Sequence, residues 1–207
     1  MATGDLTTLA SVKAQAGITT TSEDAFLTPV IAAVSSAIET LTGRWLAPRG
    51  STSLYFDVDP AGDAQRLRVP MGLQSVSFIG TAWQDQPDDG SGAYTAITAG
   101  VYLQPAVQDR VDDDWPATAV ELGYLANAFF YPGHRTVKIT GAWGWAATPP
   151  RVAQIAATAV VRAWRAKTSG GADYTIIGAD GGQKILRDLA PSELAELRAA
   201  YRDVVAR

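Results

Sequence analysis

The sequence lacks cysteine and contains a single histidine, His134. The absence of cysteine excludes disulfides, thiolate metal sites and cysteine nucleophiles. With one histidine, a histidine-rich metal site is impossible, and a Ser-His-Asp arrangement would have to use His134. Because His134 follows Gly133 in a predicted turn before a strand, we interpret it as a surface histidine.

Positive charge is also scarce, with 17 lysines and arginines against 21 acidic residues and a net charge of -4. A free-standing DNA-binding role is disfavoured, because counterion release from DNA requires clustered basic side chains. The charge is unevenly distributed: residues 1–148 hold 8 basic and 15 acidic side chains, whereas residues 149–207 hold 9 and 6. A chain polarised in this way can stack its acidic end on the basic end of a neighbour.

Long apolar runs are missing as well. The longest, residues 30–34 and 155–161, are short and rich in alanine, so we predict no membrane span and no membrane partner. The chain does not open with a basic segment followed by an apolar one. We therefore expect it to stay in the cytoplasm in which it is made.

Helical periodicity is clearest near the N-terminus. A short helix is predicted to begin after Thr7 or Thr8 and to end at Gly17. A longer apolar stripe, with steps of four and three residues, predicts a second helix that ends at Gly43. The stripe consists of Leu27, Ile31, Val34, Ile38, Leu41 and Trp45.

The start of this second helix has two interpretations. Thr20 and Glu23 have the spacing of a capping box, which would begin the helix early and leave Pro29 inside it as a kink. Alternatively, Thr28 caps a helix whose first residue is Pro29, because proline suits the first turn.

Residues 51–145 change to period-two alternation between breaks rich in glycine, proline and aspartate, which predicts short antiparallel strands. The helical period returns at Pro149 and Pro150, and a glycine-rich stretch then precedes a last helix. We predict an α+β fold with one adaptor domain, residues 1–168, in which a helical body (1–50 and 146–168) carries a β-rich antiparallel insertion (51–145). Residues 169–207 are predicted to form a flexible glycine-rich arm that ends in a helix.

Three motifs suggest ligand binding but are better explained structurally. The aspartates within residues 85–89 and 112–114 have oxygen ligands for a hard cation, yet both clusters lack the closing glutamate of a calcium loop. We interpret them as solvated loops. Residues 178–182 are glycine-rich without the strand-to-helix context of a phosphate-binding loop, and we interpret them as a hinge. We assign no catalytic residue, no metal site and no cofactor.

Two sets of side chains are candidates for contacts with partners. Trp83 and Trp115 stand beside acidic loops, where a core position is difficult to assign, and we predict that they contact a partner. The last long helix also has a basic side. Its residues either line a DNA channel or form a solvated face or salt bridges between subunits; they are Arg151, Arg162, Arg165 and Lys167.

Four short motifs follow one another in a fixed order. Residues 6–18 combine Leu-Thr with a later Gly-Ile, residues 42–44 read Thr-Gly-Arg, residues 137–144 read Val-Lys-Ile-Thr-Gly-Ala-Trp-Gly, and residues 149–156 open a helix with prolines. This order resembles the head-tail connector family of long-tailed bacteriophages, also called adaptor or head-completion proteins. The resemblance covers residues 1–45 and 135–167 by motif, and the middle by architecture alone.

The resemblance implies a structural virion protein and not an enzyme. Such a protein forms a ring, usually of twelve copies, in the neck of the virion. The ring joins the portal protein of the DNA-filled head to the tail or to the next neck protein, and packaged DNA passes through its lumen without sequence readout. The C-terminal segment would reach the portal, through Leu194, Leu197, Tyr201 and Val205.

Two alternatives from other classes remain open. The six tryptophans and seven tyrosines are compatible with a carbohydrate- or receptor-binding module of a virion surface, because aromatic rings stack on sugars. A hydrolase using paired carboxylates is the other alternative. The sequence places no two carboxylates in one cleft.

Overall fold

Four helices and six strands build the protein in a computed structural model that describes residues 4–88, 91–105, 115–168 and 189–201. Helices α1 (Leu9–Ala16) and α2 (Asp24–Thr42) precede the strands, and α3 (Pro150–Thr168) and α4 (Pro191–Tyr201) follow them. The predicted α+β class, with a helix pair, an antiparallel β-rich insertion and a C-terminal helix, is confirmed. The predicted glycine-rich arm before α4 lies outside the described residues.

The chain divides into two compact units. Met1–Ala47 and Ala147–Arg207 form one, which we call the helical unit, and Pro48–Ala146 form the other, which we call the sheet unit. The helical unit is thus made of two separate parts of the chain.

The ends of α1 and α2 follow the predicted local rules. The side chain of Thr8 accepts a hydrogen bond from the backbone N–H of Ser11 at 3.1 Å, so Thr8 is the N-cap of α1. Gly17 and Gly43 end the two helices with left-handed backbones, at φ 72° and 69°. Only glycine adopts this conformation at little cost, which explains both stops.

The start of α2 agrees with one of the two interpretations in its position but not in its cap. The helix begins at Asp24 and continues through Pro29, so the interpretation that places Pro29 inside the helix is correct and the one that makes it the first residue is wrong. A capping box is absent: Glu23 is the N-cap without a side-chain bond, and Thr20 pairs with Ser22 instead. The reason is a tight turn in which the backbone N–H of Asp24 donates to Thr21, placing Thr20 outside the helix.

Helix α2 is the core of the helical unit. Its polar Ser35 is fully buried and accepts a hydrogen bond from the backbone N–H of Leu6 at 3.0 Å. The carboxylate of Glu39 accepts from the backbone N–H of Leu46 at 3.0 Å, which fixes the chain after the helix. Buried apolar residues on this helix include Leu27, Val30, Ile31, Val34, Ala37 and Ile38.

By length and composition α2 would also suffice to cross a membrane, contrary to the expectation from run length. Half of that apolar stretch is buried inside the chain. Burial against α3 and α1 is the pattern of a core helix in a folded domain.

The sheet unit is an antiparallel sheet of six strands in the order β1-β6-β2-β5-β4, with β3 paired to β2. Fully buried residues on its inner side include Leu73, Val120, Phe130, Val137, Ile139 and Trp143. The strand bounds are β1 Arg49–Val58, β2 Arg66–Thr81, β3 Thr95–Ala96, β4 Val101–Pro105, β5 Ala117–Leu122 and β6 Gly133–Trp143.

Ser35→Ala should destabilise the helical unit by about 1–3 kcal/mol, because the buried N–H of Leu6 would lose its acceptor. Ser36→Ala is the matched control, since Ser36 is exposed on the same helix and the gain in helix propensity is the same. Urea unfolding of the two variants measures the difference. Equal unfolding midpoints would show that the bond to Ser35 is not stabilising.

Candidate functional site

Two arginines on the basic side of α3 form ion pairs with α4. Arg151 donates from Nε and Nη2 to Glu196 at 2.7 and 2.8 Å, and Arg162 donates from Nη1 and Nη2 to Glu193 at 2.7 and 3.0 Å. Both are two-pronged contacts, the strongest geometry for an arginine and a carboxylate. These two predicted DNA or inter-subunit residues therefore position the C-terminal helix within the chain.

The two acidic partners titrate below their usual range. For Glu193, partial burial opposes ionisation, but the hydrogen bonds from Arg162 and from the backbone N–H of Ala190 outweigh it and lower the pKa. For Glu196, the hydrogen bond from Arg151 is the main cause of the lowered pKa. Both carboxylates are ionised at neutral pH, so the attachment of α4 persists there.

The other two basic candidates differ from each other. Lys167 lies 2.9 Å from Glu23, and its Nζ stands 4.2 Å from the centre of the Phe26 ring. It therefore ties the end of α3 to the start of α2. Arg165 is exposed to solvent.

The predicted portal-contact residues on α4 lie in different surroundings. Leu197 is fully buried within the helical unit, whereas Leu194 and Tyr201 are half-buried. Val205 lies outside the described residues. Leu197 therefore anchors α4 to its own chain.

Leu197→Ala should loosen α4, because a buried leucine contributes about 2–5 kcal/mol through transfer and cavity terms. We expect faster amide exchange throughout α4. Leu194→Ala, on the same helix but half-buried, is the control and should cause a smaller change. Equal exchange in both variants would contradict the anchoring role.

The two tryptophans predicted to contact partners are placed differently. Trp83 is 75% exposed. Trp115 is half-buried and packs edge-on against Trp145, with ring centres 4.8 Å apart. Of the two tryptophans, Trp83 has the more exposed ring.

His134 stands between two carboxylates on the surface of the sheet unit. Its Nδ1 lies 3.0 Å from Asp57 and its Nε2 lies 2.8 Å from Asp88. Its backbone N–H donates to Asp85 at 2.7 Å, and Arg135 also contacts Asp88. The cluster ties the end of β1 and the segment after β2 to the start of β6.

The contacts of this cluster shift two pKa values. The hydrogen bond to Asp88 is the main cause that raises the pKa of His134 above 6.5, and the same bond is the main cause that lowers the pKa of Asp88 below 3.8. A raised histidine pKa stabilises the fold below pH 6.5, and this contribution is lost as the pH rises through the raised value. The lowered carboxyl pKa contributes above pH 3.8 and is lost on further acidification.

Asp88→Asn should lower the pKa of His134, because a neutral amide does not favour the protonated ring. His134 is the sole histidine, so its ring protons can be titrated by NMR without overlap. Asp59→Asn serves as the control, since Asp59 accepts from the backbone N–H of Ala61 in its own turn. A His134 pKa that does not move in Asp88→Asn would contradict the structure.

Basic and aromatic side chains also share the outer face of β1, β6 and β2. Arg135 lies 4.2 Å from the ring centre of Tyr55. The Nζ of Lys138 lies 5.7, 5.8 and 5.9 Å from the ring centres of Tyr55, Phe78 and Tyr94. These cation–π contacts cover the face of the sheet opposite the buried Val137 and Ile139.

The largest exposed apolar feature was not anticipated. Residues 123–131, between β5 and β6, project Tyr124 and Leu125, which are 96% and 70% exposed, together with Phe129. We call this segment the apolar knob. A sequence signal existed, because residues 123–133 contain four aromatic side chains and no charged one. The sequence analysis included this segment in the β-rich insertion. Its exposure could not be predicted, because exposure depends on the tertiary fold.

Two glycines hold the apolar knob in place. A Cβ on Gly100, at φ +70°, would lie 2.3 Å from the backbone N of Ala126, and a Cβ on Gly123 would lie 2.5 Å from the Tyr102 ring. The N–H of Gly123 also donates to the carbonyl of Gly100 at 2.8 Å. Backbone and ring therefore pack at distances that only glycine permits.

Within the described residues, no group of three or more histidine, aspartate or glutamate side chains is arranged to hold a metal ion. Several residues considered in the sequence analysis lie outside the described part of the chain. They are the loop aspartates at 89 and 112–114 and the predicted hinge at 178–182.

The described residues thus present ion-paired helices and a few large exposed apolar side chains on an α+β scaffold. The family model of phage gp6-like head-tail connector proteins matches residues 6–71, from the segment before α1 into β2. The predicted resemblance to head-tail connector proteins is confirmed.

A solved structure shares the fold of this chain. A chain from the "Neck of empty GTA particle computed with C6 symmetry" is 20% identical, with a TM-score of 0.58 over 99% of this chain and 93% of that chain. A chain from the "Neck of native GTA particle computed with C12 symmetry" is also 20% identical, with a TM-score of 0.44 over 80% of this chain and 87% of that chain. No curated protein matches the sequence.

Proposed function

We propose that this protein is a non-catalytic subunit of a homo-oligomeric ring in the neck of a bacteriophage, joining the portal to the next neck or tail protein. The observation that carries the proposal is the match of residues 6–71 to the gp6-like head-tail connector family. The shared fold with a neck chain of a GTA particle over 99% of this chain adds support. The neck of that particle was computed with sixfold symmetry. For the ring formed by the present protein we propose twelve copies.

The distribution of charge along the chain suits a ring. The sheet unit holds 6 basic and 11 acidic side chains, the whole helical unit holds 11 and 10, and the C-terminal part of the helical unit, residues 147–207, holds 9 and 6. A ring requires two different surfaces on each subunit that complement each other. Opposite charges on two parts of one chain meet that requirement and also favour one orientation over the reverse.

The C-terminal helix is the proposed portal contact, through fewer residues than the sequence analysis predicted. Leu197 is used within the chain, so Leu194, Tyr201 and Val205 remain as the proposed contact residues. Arg151, Arg162 and Lys167 are engaged in ion pairs, which leaves Arg165 as the exposed candidate for the DNA lumen. Trp83 and Trp115 are proposed to face the next neck protein, with Trp83 carrying the larger exposed ring.

The test is sedimentation of the full chain alone, with the portal protein and with the next neck protein of the same genome. We expect a ring-sized complex in the presence of portal, and weaker portal binding for Leu194→Ala combined with Tyr201→Ala. Trp83→Ala is the control, because Trp83 lies in the sheet unit, and it should leave portal binding unchanged. Unfolding midpoints establish that each variant is folded.

Monomer at every salt concentration without portal binding would contradict this function. One observation, the exposed ring of Trp83, then favours the carbohydrate-binding alternative. A glycan-array signal that disappears in Trp83→Ala would support that alternative.

A further inference from the structure

We propose that the apolar knob of one copy packs against the helical unit of the next copy and forms the contact that closes the ring. This inference rests on the proposed ring and names the surface through which its subunits meet. The segment that matches the family model, residues 6–71, does not include the apolar knob.

Most of the large side chains of the apolar knob are exposed, and all are uncharged. Tyr124 and Leu125 are 96% and 70% exposed, Phe129 and Tyr102 about as much exposed as buried, and residues 123–133 carry no charged side chain. Isolated exposed apolar residues are ordinary, but a cluster of large ones on a single segment marks a contact surface. Tyrosine is also a residue type that dominates binding energy at interfaces.

The apolar knob is held in place by close packing beneath it. Gly100 and Gly123 let the backbone at Ala126 and the ring of Tyr102 pack closely under the apolar knob. The backbone N–H of Phe130 donates to Ala64 at 2.8 Å, and the Phe130 ring is fully buried. A surface already held in its bound shape loses little conformational entropy on association.

The charge around the apolar knob selects its occupant. The bond to Ala64 places the apolar knob beside the segment that carries the exposed Asp59, Asp63 and Arg66, and Arg66 lies opposite Glu121. A predominantly acidic rim around an apolar centre favours a partner with an apolar centre and a basic rim. A second sheet unit does not qualify, because each sheet unit holds 11 acidic against 6 basic side chains.

The helical unit of a second copy does qualify. The whole unit holds 11 basic and 10 acidic side chains, but its C-terminal part, residues 147–207, holds 9 and 6, and Arg165 and Arg198 are exposed there. Helix α4 also exposes small apolar side chains that leave room for large ones: Ala195, Ala199 and Ala200. Sheet unit to helical unit is a head-to-tail contact, which generates a ring when the rotation closes.

Photo-crosslinking tests this contact. Because the chain has no cysteine, Tyr124→Cys introduces a single thiol that can be labelled with benzophenone maleimide. A mixture of nitrogen-14 and nitrogen-15 protein, with and without portal, distinguishes crosslinks between copies from crosslinks within one. We expect crosslinks between copies that map to residues 147–201, and none from the control Trp83→Cys, whose ring is also exposed.

A second variant measures the contribution of the native side chains. Tyr124→Ser combined with Leu125→Ser should weaken self-association by roughly tenfold or more, because truncating an interface anchor commonly costs over about 1 kcal/mol. Both side chains are exposed, so the unfolding midpoint should not fall. Trp83→Ser should associate like the wild type.

The outcomes separate the two proposals. Crosslinks from position 124 that map only to portal, only to another sheet unit, or to no second copy would overturn the ring contact even when portal binding is observed. Crosslinks between copies in a protein that never binds portal would support the contact and contradict the function proposed above.

Discussion

The pairing of β1 with β6 is the constraint on which the rest of the architecture depends. Arg49, at the start of the sheet unit, lies opposite Trp143, at its end, so the chain leaves the sheet unit beside the point where it entered. Trp143 is fully buried, and its indole donates to the carbonyl of Thr52 at 2.9 Å. A long insertion can then sit between α2 and α3 while both helices remain in one unit.

The pairing of β6 with its other neighbour, β2, requires a small residue at one close approach. A Cβ on Gly141 would lie 2.0 Å from the carbonyl oxygen of Ser75 on β2. Strand β6 therefore requires glycine at this position, between the buried Ile139 and Trp143. The Thr-Gly-Ala-Trp-Gly stretch that carried part of the family resemblance is thus a packing requirement of the sheet.

In the helical unit, charged side chains on α3 and α4 hold the two helices together. Arg151 and Arg162 on α3 meet Glu196 and Glu193 on α4 in two-pronged contacts, and Leu197 is buried beside them. Two arginines of the basic face of α3 are therefore held by the chain's own last helix, while Arg165 on the same helix is exposed. The described residues also leave the uncharged apolar knob of the sheet unit exposed.

Features that depend on neighbours in sequence were determined by the sequence itself. Helix ends are determined by Thr8, Gly17 and Gly43, because capping involves residues within one turn. The alternation of apolar and polar residues predicted the antiparallel strands. The tertiary structure alone decided which side chains meet across long separations, such as Arg162 with Glu193 and His134 with Asp57 and Asp88. Register and helix packing determine these meetings, and they also determine whether an apolar segment is buried or, like residues 123–131, held out in solvent.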